Sequence, residues 1–252
     1  MSNILRTDAV VLRTMRYGET SLIVTLFTRE QGKVTVLARG ARTLKSRFGA
    51  AVQPLSLIQA MISMRPTRTL QTLREASHAT RFRTLTSDLP KITTGLRMVE
   101  LVRALTQDEE PGRALFDLLA ASLSGLDALD AALGEQPSAA LLFFEVRMAR
   151  LLGFEPGFTR EAVAELPEDG GVLHLATGVM GPLSEATGRR ASRAALRAFA
   201  IAARADLDTA LRMRLSEDAL DEAVRLAEAY LQFHTEDAFP TRSNAVRAAL
   251  GG

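Results

Sequence analysis

Over roughly the first eighty positions apolar and polar residues alternate, and beyond them the period changes. Segments 8–15 (DAVVLRTM), 22–28 (LIVTLFT), 33–39 (KVTVLAR), 57–64 (LIQAMISM) and 70–76 (LQTLREA) are short and rich in Val, Ile, Leu and Thr. In the second, Leu22, Val24 and Leu26 share one face and Ile23, Thr25 and Phe27 the other. In the third, Val34, Val36 and Ala38 point one way, and Lys33, Thr35, Leu37 and Arg39 the other. This two-residue period predicts β-strands, the third with one apolar and one partly basic face. Turn residues separate the segments: Tyr17-Gly18-Glu19, Gln31-Gly32 and Gly40. Five short strands at regular spacing predict a small closed barrel rather than a sandwich.

After residue 84 apolar residues recur at helical spacing. Leu96, Val99, Leu101, Val102 and Leu105 predict a helix over 88–106. Leu115, Phe116, Leu118, Leu119, Leu123, Leu126 and Leu129 predict one over 112–133, and Leu141 through Leu152 one over 138–152. Pro111 and Pro137 sit at helix starts, where proline is tolerated, and Gly134 and Gly153 where helices stop. Glycine and proline then crowd 153–190, which reads as an irregular or β-ribbon module with an extended piece at Val172–Leu175. Helices resume at 191–203, 206–214 and 216–235, the last with Ser216 as N-cap, and a short one is expected at 242–250. The pattern predicts an α+β multidomain protein. A β-barrel domain covers 1–82, and an all-α domain covers 83–252 with the inserted module at 153–190.

Charge sharpens this division. The 252 residues carry a net charge of +2, but residues 1–83 hold fourteen Lys or Arg against four acids, a net +10, and the remainder nets −8. A basic third joined to an acidic two-thirds suits a polyanion on the barrel; the alternative is a solvated basic face with no partner. The absence of cysteine excludes disulfides, thiolate metal sites and iron–sulfur clusters. Arg6 and Asp8 interrupt any signal-peptide pattern, and no apolar run nears the roughly 18–20 residues of a membrane span. A cytoplasmic protein is expected.

The chemistry concentrates in Arg39-Gly40-Ala41-Arg42-Thr43-Leu44-Lys45-Ser46-Arg47-Phe48-Gly49, which combines four cations with two glycines and one aromatic and has no acid. Guanidinium forks and a lysine point charge pair with phosphate oxygens, and glycine lets the backbone approach. Phe48 either stacks on a base or tucks into the barrel. Further cations stand at Arg13 and Arg16 beside Tyr17, at Lys33, and at Arg65 and Arg68 around Pro66. Each alone is a solvated charge; together they form a stripe if the strand ends and loops converge. In the helical part Arg97, Arg103, Arg147 and Arg150 flank apolar stripes. They either rim a groove for an acidic, apolar-tipped peptide or lie over the core with their charged heads in water. There is no phosphate loop, dinucleotide fingerprint or nucleophile elbow. The four acids of the basic part lie far apart in sequence, unlike a two-metal nuclease site. His78, His174 and His234 lack metal-ligand spacing. No catalytic residue, metal or cofactor is expected.

Several blocks together resemble the RecO family of DNA-repair proteins. They are Asp8-Ala9-Val10-Val11-Leu12-Arg13, Tyr17-Gly18-Glu19, Leu22 through Thr28 and Gly32-Lys33, followed by Ala38-Arg39-Gly40-Ala41-Arg42, Lys45-Ser46-Arg47-Phe48 and Gln53-Pro54-Leu55. Leu151-Leu152-Gly153-Phe154 and Tyr230-Leu231 through His234 match more loosely. The resemblance implies an N-terminal OB-fold, a helical C-terminal domain, and a recombination mediator that makes and breaks no bond. It implies binding of single- and double-stranded DNA and annealing of complementary strands. It further implies partnership with RecR, sometimes RecF, and indirectly RecA, and docking of the acidic tail of single-stranded-DNA-binding protein. Many members carry a four-cysteine zinc module in the helical domain. The corresponding stretch here, 153–190, has no cysteine, and His174 alone cannot hold tetrahedral zinc, so a metal-free lobe is expected. The residues leave open an RNA-binding OB-fold protein, a docking scaffold without annealing activity, and an unrecognised nuclease.

Overall fold

A computed structural model describes residues 3–185 and 187–240. The helix expected at 242–250 lies outside the described residues. By packing, the chain divides into two compact units: the described residues up to Leu123 together with Pro240, and Ser124–Phe239.

The first unit is built on a five-stranded ring. β1 (Asn3–Tyr17) is long enough to serve two neighbours. Its first half pairs with β4 (Leu57–Met64) in the register Arg6↔Met61 and Asp8↔Gln59. Its second half pairs with β2 (Ser21–Thr28) in the register Thr14↔Val24 and Tyr17↔Ser21, with a register shift at Leu12. β2 continues to β3 (Gly32–Ala38), and β4 to β5 (Gln71–Thr80). A short parallel join, Val36↔Gln71 and Leu37↔Thr72, closes the barrel in the order β1-β2-β3-β5-β4. That two-pair seam is the partly open side of an OB-type barrel. The expected faces are present: Val24, Leu26, Val34, Val36 and Ala38 point inward with Ile58, Ile62 and Leu73. Phe48, Ala51 and Val52, from a single 3-10 turn and the residue before it, complete this core. β1 starts five residues earlier than the sequence pattern suggests. The polar residues of Asn3–Thr7 hide a strand that is fixed by its pairing with β4.

The first unit extends past residue 82. α1 (Leu89–Leu105) is capped by Asp88, whose carboxylate accepts from the Lys91 N–H at 3.0 Å, and buries Met98, Val99, Leu101 and Val102. The segment after it returns to the barrel. The Glu109 N–H donates to the Lys33 carbonyl at 2.9 Å. Gly32 stands at φ +64° beneath this segment, where an added Cβ would lie 1.9 Å from the Glu110 carbonyl oxygen, so only glycine fits. α2 (Arg113–Ala128) follows, and the division between the units falls within it.

In the second unit α3 (Pro137–Leu151), α5 (Arg193–Arg204) and α7 (Glu217–Thr235) pack on one another. Phe144, Phe199 and Tyr230 are buried between them. Ser192, Asp206 and Ser216 cap α5, α6 (Leu207–Leu211) and α7 by accepting backbone N–H groups of Ala195, Thr209 and Ala219. The irregular module contains α4 (Arg160–Ala164), which the glycine and proline content hid. It also contains a three-stranded sheet of β6 (Gly171–Leu173), β7 (Met180–Pro182) and β8 (Arg189–Ala191), in the order β7-β6-β8.

Candidate nucleic-acid interface

The pairing register lays out the open face of β1, β2 and β3 row by row. Arg13 stands opposite Thr25, and Thr25 opposite Thr35. The next outward row is Met15, Ile23 and Leu37, and the one after it begins with Tyr17 and Ser21. Met15 and Tyr17 are about half exposed, at 46% and 52%. This is an apolar-and-aromatic strip with an arginine beside it. Arg16 and Arg39 are exposed at the same end of the strands, since Arg16 pairs with Leu22 and Leu22 with Ala38.

Two connections bring further cations to this face. The loop after β3 is pinned to the β1–β2 turn by Arg42. Its backbone N–H donates to the Thr20 carbonyl at 2.9 Å, and its guanidinium donates to the carbonyls of Gly18 and Glu19 at 3.3 and 3.0 Å. Thr43 and Ser46 continue the loop as turns, leaving Lys45 and Arg47 exposed. The turn carrying Arg65 and Arg68 is held from below by Gln71, which is buried and paired with Val36. The Arg65 N–H donates to the Gln71 Oε1 at 2.7 Å, and the Gln71 amide donates to the Arg65 and Arg68 carbonyls. Arg65 and Arg68 therefore stand beside β3.

Most of the acids of the basic part stand apart from most of these cations, while Glu19 is exposed in the β1–β2 turn. Asp8, Glu30 and Glu75 are three of the four acids of the basic part, and they line one cavity of about 650 Å³ with Arg6 and Arg47, over β1, β4 and β5. Sequence distance had kept them apart; barrel closure brings them together. Among the described residues no three His, Cys, Asp or Glu are placed to hold a metal ion.

Some expected contacts are occupied within the fold. Lys33 does not face solvent. Its Nζ donates to the Arg103 and Thr106 carbonyls at 3.0 and 2.6 Å and pairs with Asp108 at 3.3 Å, so it caps the C-terminus of α1. Phe48 is 2% exposed and belongs to the barrel core, so of its two alternatives the structure takes the second. Arg97 is buried on α1, paired with Glu100 at 3.0 Å and donating to the Pro240 carbonyl, and Arg103 is half-buried on the same helix. Arg147 donates to the Ala203 and Ala205 carbonyls at the end of α5 and lies over the Phe143 ring. Burial and the neighbouring Arg150 lower its pKa from the ordinary arginine value. Arg150 makes an exposed pair with Glu155 at 3.3 Å. Two of these four arginines lie in the first unit and two in the second.

The sequence reading missed a different basic pocket in the second unit. Arg193, Arg197 and Arg214 surround a cavity of about 550 Å³ floored by Ala198, Ile201, Met213 and Leu215, with Glu168 at its edge. Ile201 is 39% exposed, and Arg193 Nε is buried without a hydrogen-bond partner. The four-residue spacing of Arg193 and Arg197 is legible in the sequence, but the approach of Arg214 is not. In the irregular module the His174 imidazole meets the Glu185 carboxylate. No described helix is long and apolar enough to cross a membrane.

Comparison with known proteins agrees with this layout. Residues 1–82 match the family described as Recombination protein O N terminal, and residues 86–243 the one described as Recombination protein O C terminal. The DNA repair protein RecO of Salinibacter ruber is 44% identical over 252 residues, covering 99% of this chain and 95% of that protein. The protein of the same name from Symbiobacterium thermophilum is 33% identical, covering 91% of each chain. The one from Anaeromyxobacter sp. strain K is 38% identical over 174 residues, covering 69% of this chain and 66% of that protein.

Proposed function

Because the chain belongs to the recombination protein O family, we propose that it is a DNA-repair and recombination mediator that binds DNA and catalyses no reaction. Residues 1–82 are the DNA-binding domain, and residues 83–252 are the helical domain with a metal-free lobe at 153–190. Single- or double-stranded DNA follows the β1–β3 face. Its phosphates meet Arg13, Arg16, Arg39, Arg42, Lys45, Arg47, Arg65 and Arg68, and its bases rest on Tyr17 and the Met15–Ile23–Leu37 strip. The observation that carries this is the distribution of charge: three carboxylates share one cavity with Arg6 and Arg47, and the other cations stand around an open sheet face. Neutralising two strands and holding them close favours annealing with no bond made or broken. Partners are RecR, RecF in some settings, RecA indirectly, and single-stranded-DNA-binding protein, and the setting is the nucleoid-containing cytoplasm. The pocket of Arg193, Arg197 and Arg214 suits the acidic, apolar-tipped tail of the last, because it joins an apolar floor to three cations.

The test is annealing of complementary oligonucleotides coated with the cognate single-stranded-DNA-binding protein. Wild type is compared with a variant carrying Arg39, Arg42, Lys45 and Arg47 all changed to Glu. Wild type anneals and the folded variant does not; equal annealing by both refutes the assignment of the loop. Affinity for single strands falls with salt at a log–log slope of about −0.7 per phosphate contacted. A matched RNA competitor that displaces DNA completely at equal concentration favours an RNA-binding role instead.

A further inference from the structure

The first unit holds another cavity, of about 720 Å³, between the connection after β3 and the end of β5. Its lining includes Arg47, Gln53, His78, Thr80, Arg81 and Phe82, and among the described residues no carboxylate lines it. Arg47 lies over the ring of buried Phe48, its guanidinium carbon 5.1 Å from the ring centre, so it rests on a rigid base. Arg81 is exposed and Phe82 half-buried. Among the described residues neither Arg47 nor Arg81 forms an ion pair with a carboxylate. Of the cations assigned to the β1–β3 face, only Arg47 also lines this cavity. The cavity adjoins the acidic cavity of Asp8, Glu30 and Glu75, and Arg47, Ala76 and Ser77 line both.

We propose that this cavity is a second nucleic-acid site, which takes a short single-stranded segment while the β1–β3 face holds another. The inference rests on the DNA-binding function proposed above and adds where the second strand goes. Two arginines, a histidine and several hydroxyl and amide groups suit a phosphodiester backbone, and Phe82 offers a ring on which a base stacks. The acids on the far side of Arg47 repel phosphate and end the track there. A phosphopeptide needs only the cations; the aromatic ring among the polar groups favours a nucleotide chain.

The experiment uses the full chain and fluorescent thymidine oligonucleotides about fifteen nucleotides long. Wild type binds two oligonucleotides per chain under saturating conditions. Arg81→Glu combined with Phe82→Ala keeps one and loses the other, and loss of the stacking ring alone weakens the second binding between about 5- and 150-fold. The rim variant Arg42→Glu with Lys45→Glu weakens the first and leaves the cavity occupied. Ultraviolet cross-linking of wild type with the same oligonucleotide yields an adduct within residues 77–86, which decides the matter even if the cavity variant does not fold. Two outcomes overturn the inference and leave the DNA-binding function standing: a wild-type stoichiometry of one, or a folded cavity variant that still binds two. A wild type that binds neither DNA nor RNA instead refutes the proposed function, and the second site with it.

Discussion

Replacing Lys33 by Met separates a structural lysine from a phosphate contact. The Lys33 side chain is 14% exposed and its ammonium donates to two carbonyls at the end of α1, at 3.0 and 2.6 Å, while the side chain of its ionic partner Asp108 is 76% exposed. A hydrogen bond to a charged group contributes about 1.5–3 kcal/mol, and an exposed ion pair about 0–1 kcal/mol. Water reaches part of the freed helix end, which discounts the sum, and methionine keeps most of the packing of the lysine stem. The expected net loss is about 2–3 kcal/mol. For a compact unit of this size that lowers the thermal midpoint of the barrel transition by roughly 8–12 °C. Calorimetry or far-ultraviolet circular dichroism measures the shift. Affinity for a single-stranded oligonucleotide, measured below the transition, stays within about twofold of wild type, and the salt slope is unchanged. The reasoning is refuted by the opposite pair of results: an unchanged midpoint together with a salt slope shallower by about 0.7.

Gly32→Ala drives a Cβ into the Glu110 carbonyl and places a side chain at φ +64°, so the 108–110 segment lifts off β3. The left-handed conformation alone costs about 1–2 kcal/mol, and faster amide exchange at Glu109 reports the lifting. Arg97→Met leaves the buried Glu100 carboxylate without this partner and costs about 3–5 kcal/mol in urea unfolding, whereas adding Glu100→Leu restores most of the loss. The Asp206 carboxyl is held below its usual pKa, chiefly by the backbone N–H of Thr209 and also through the Thr209 side chain. A lowered folded-state pKa stabilises above the unfolded value of about 3.9 and is lost as pH falls through the folded one. Asp206→Asn therefore flattens the decline in thermal midpoint of the helical unit below about pH 4, and an unaltered decline contradicts it.

The amino-acid sequence by itself determined the elements, because each is a local period. Alternation of Leu22, Val24 and Leu26 can satisfy only a strand with one buried face, and the recurrence of Leu115, Leu119 and Leu123 suits only a helix. It also determined the cationic loop 39–47 and the absence of thiolate chemistry, since residue type alone decides these. Tertiary structure decided which charges are free. Lys33 read as one more cation of the basic barrel and Arg97 as a cation flanking an apolar stripe, yet the first ends a helix seventy residues away and the second answers a buried glutamate. Phe48 read as a candidate stacking ring and fills the barrel. Asp8, Glu30 and Glu75 are scattered along the chain and share one cavity only because β1 pairs with β4 and β4 with β5. Periodicity is a property of neighbours along the chain and is written in their order. The partner of a charge is set by which strands and helices come together, and burial then fixes whether that charge stays in the fold or faces a ligand.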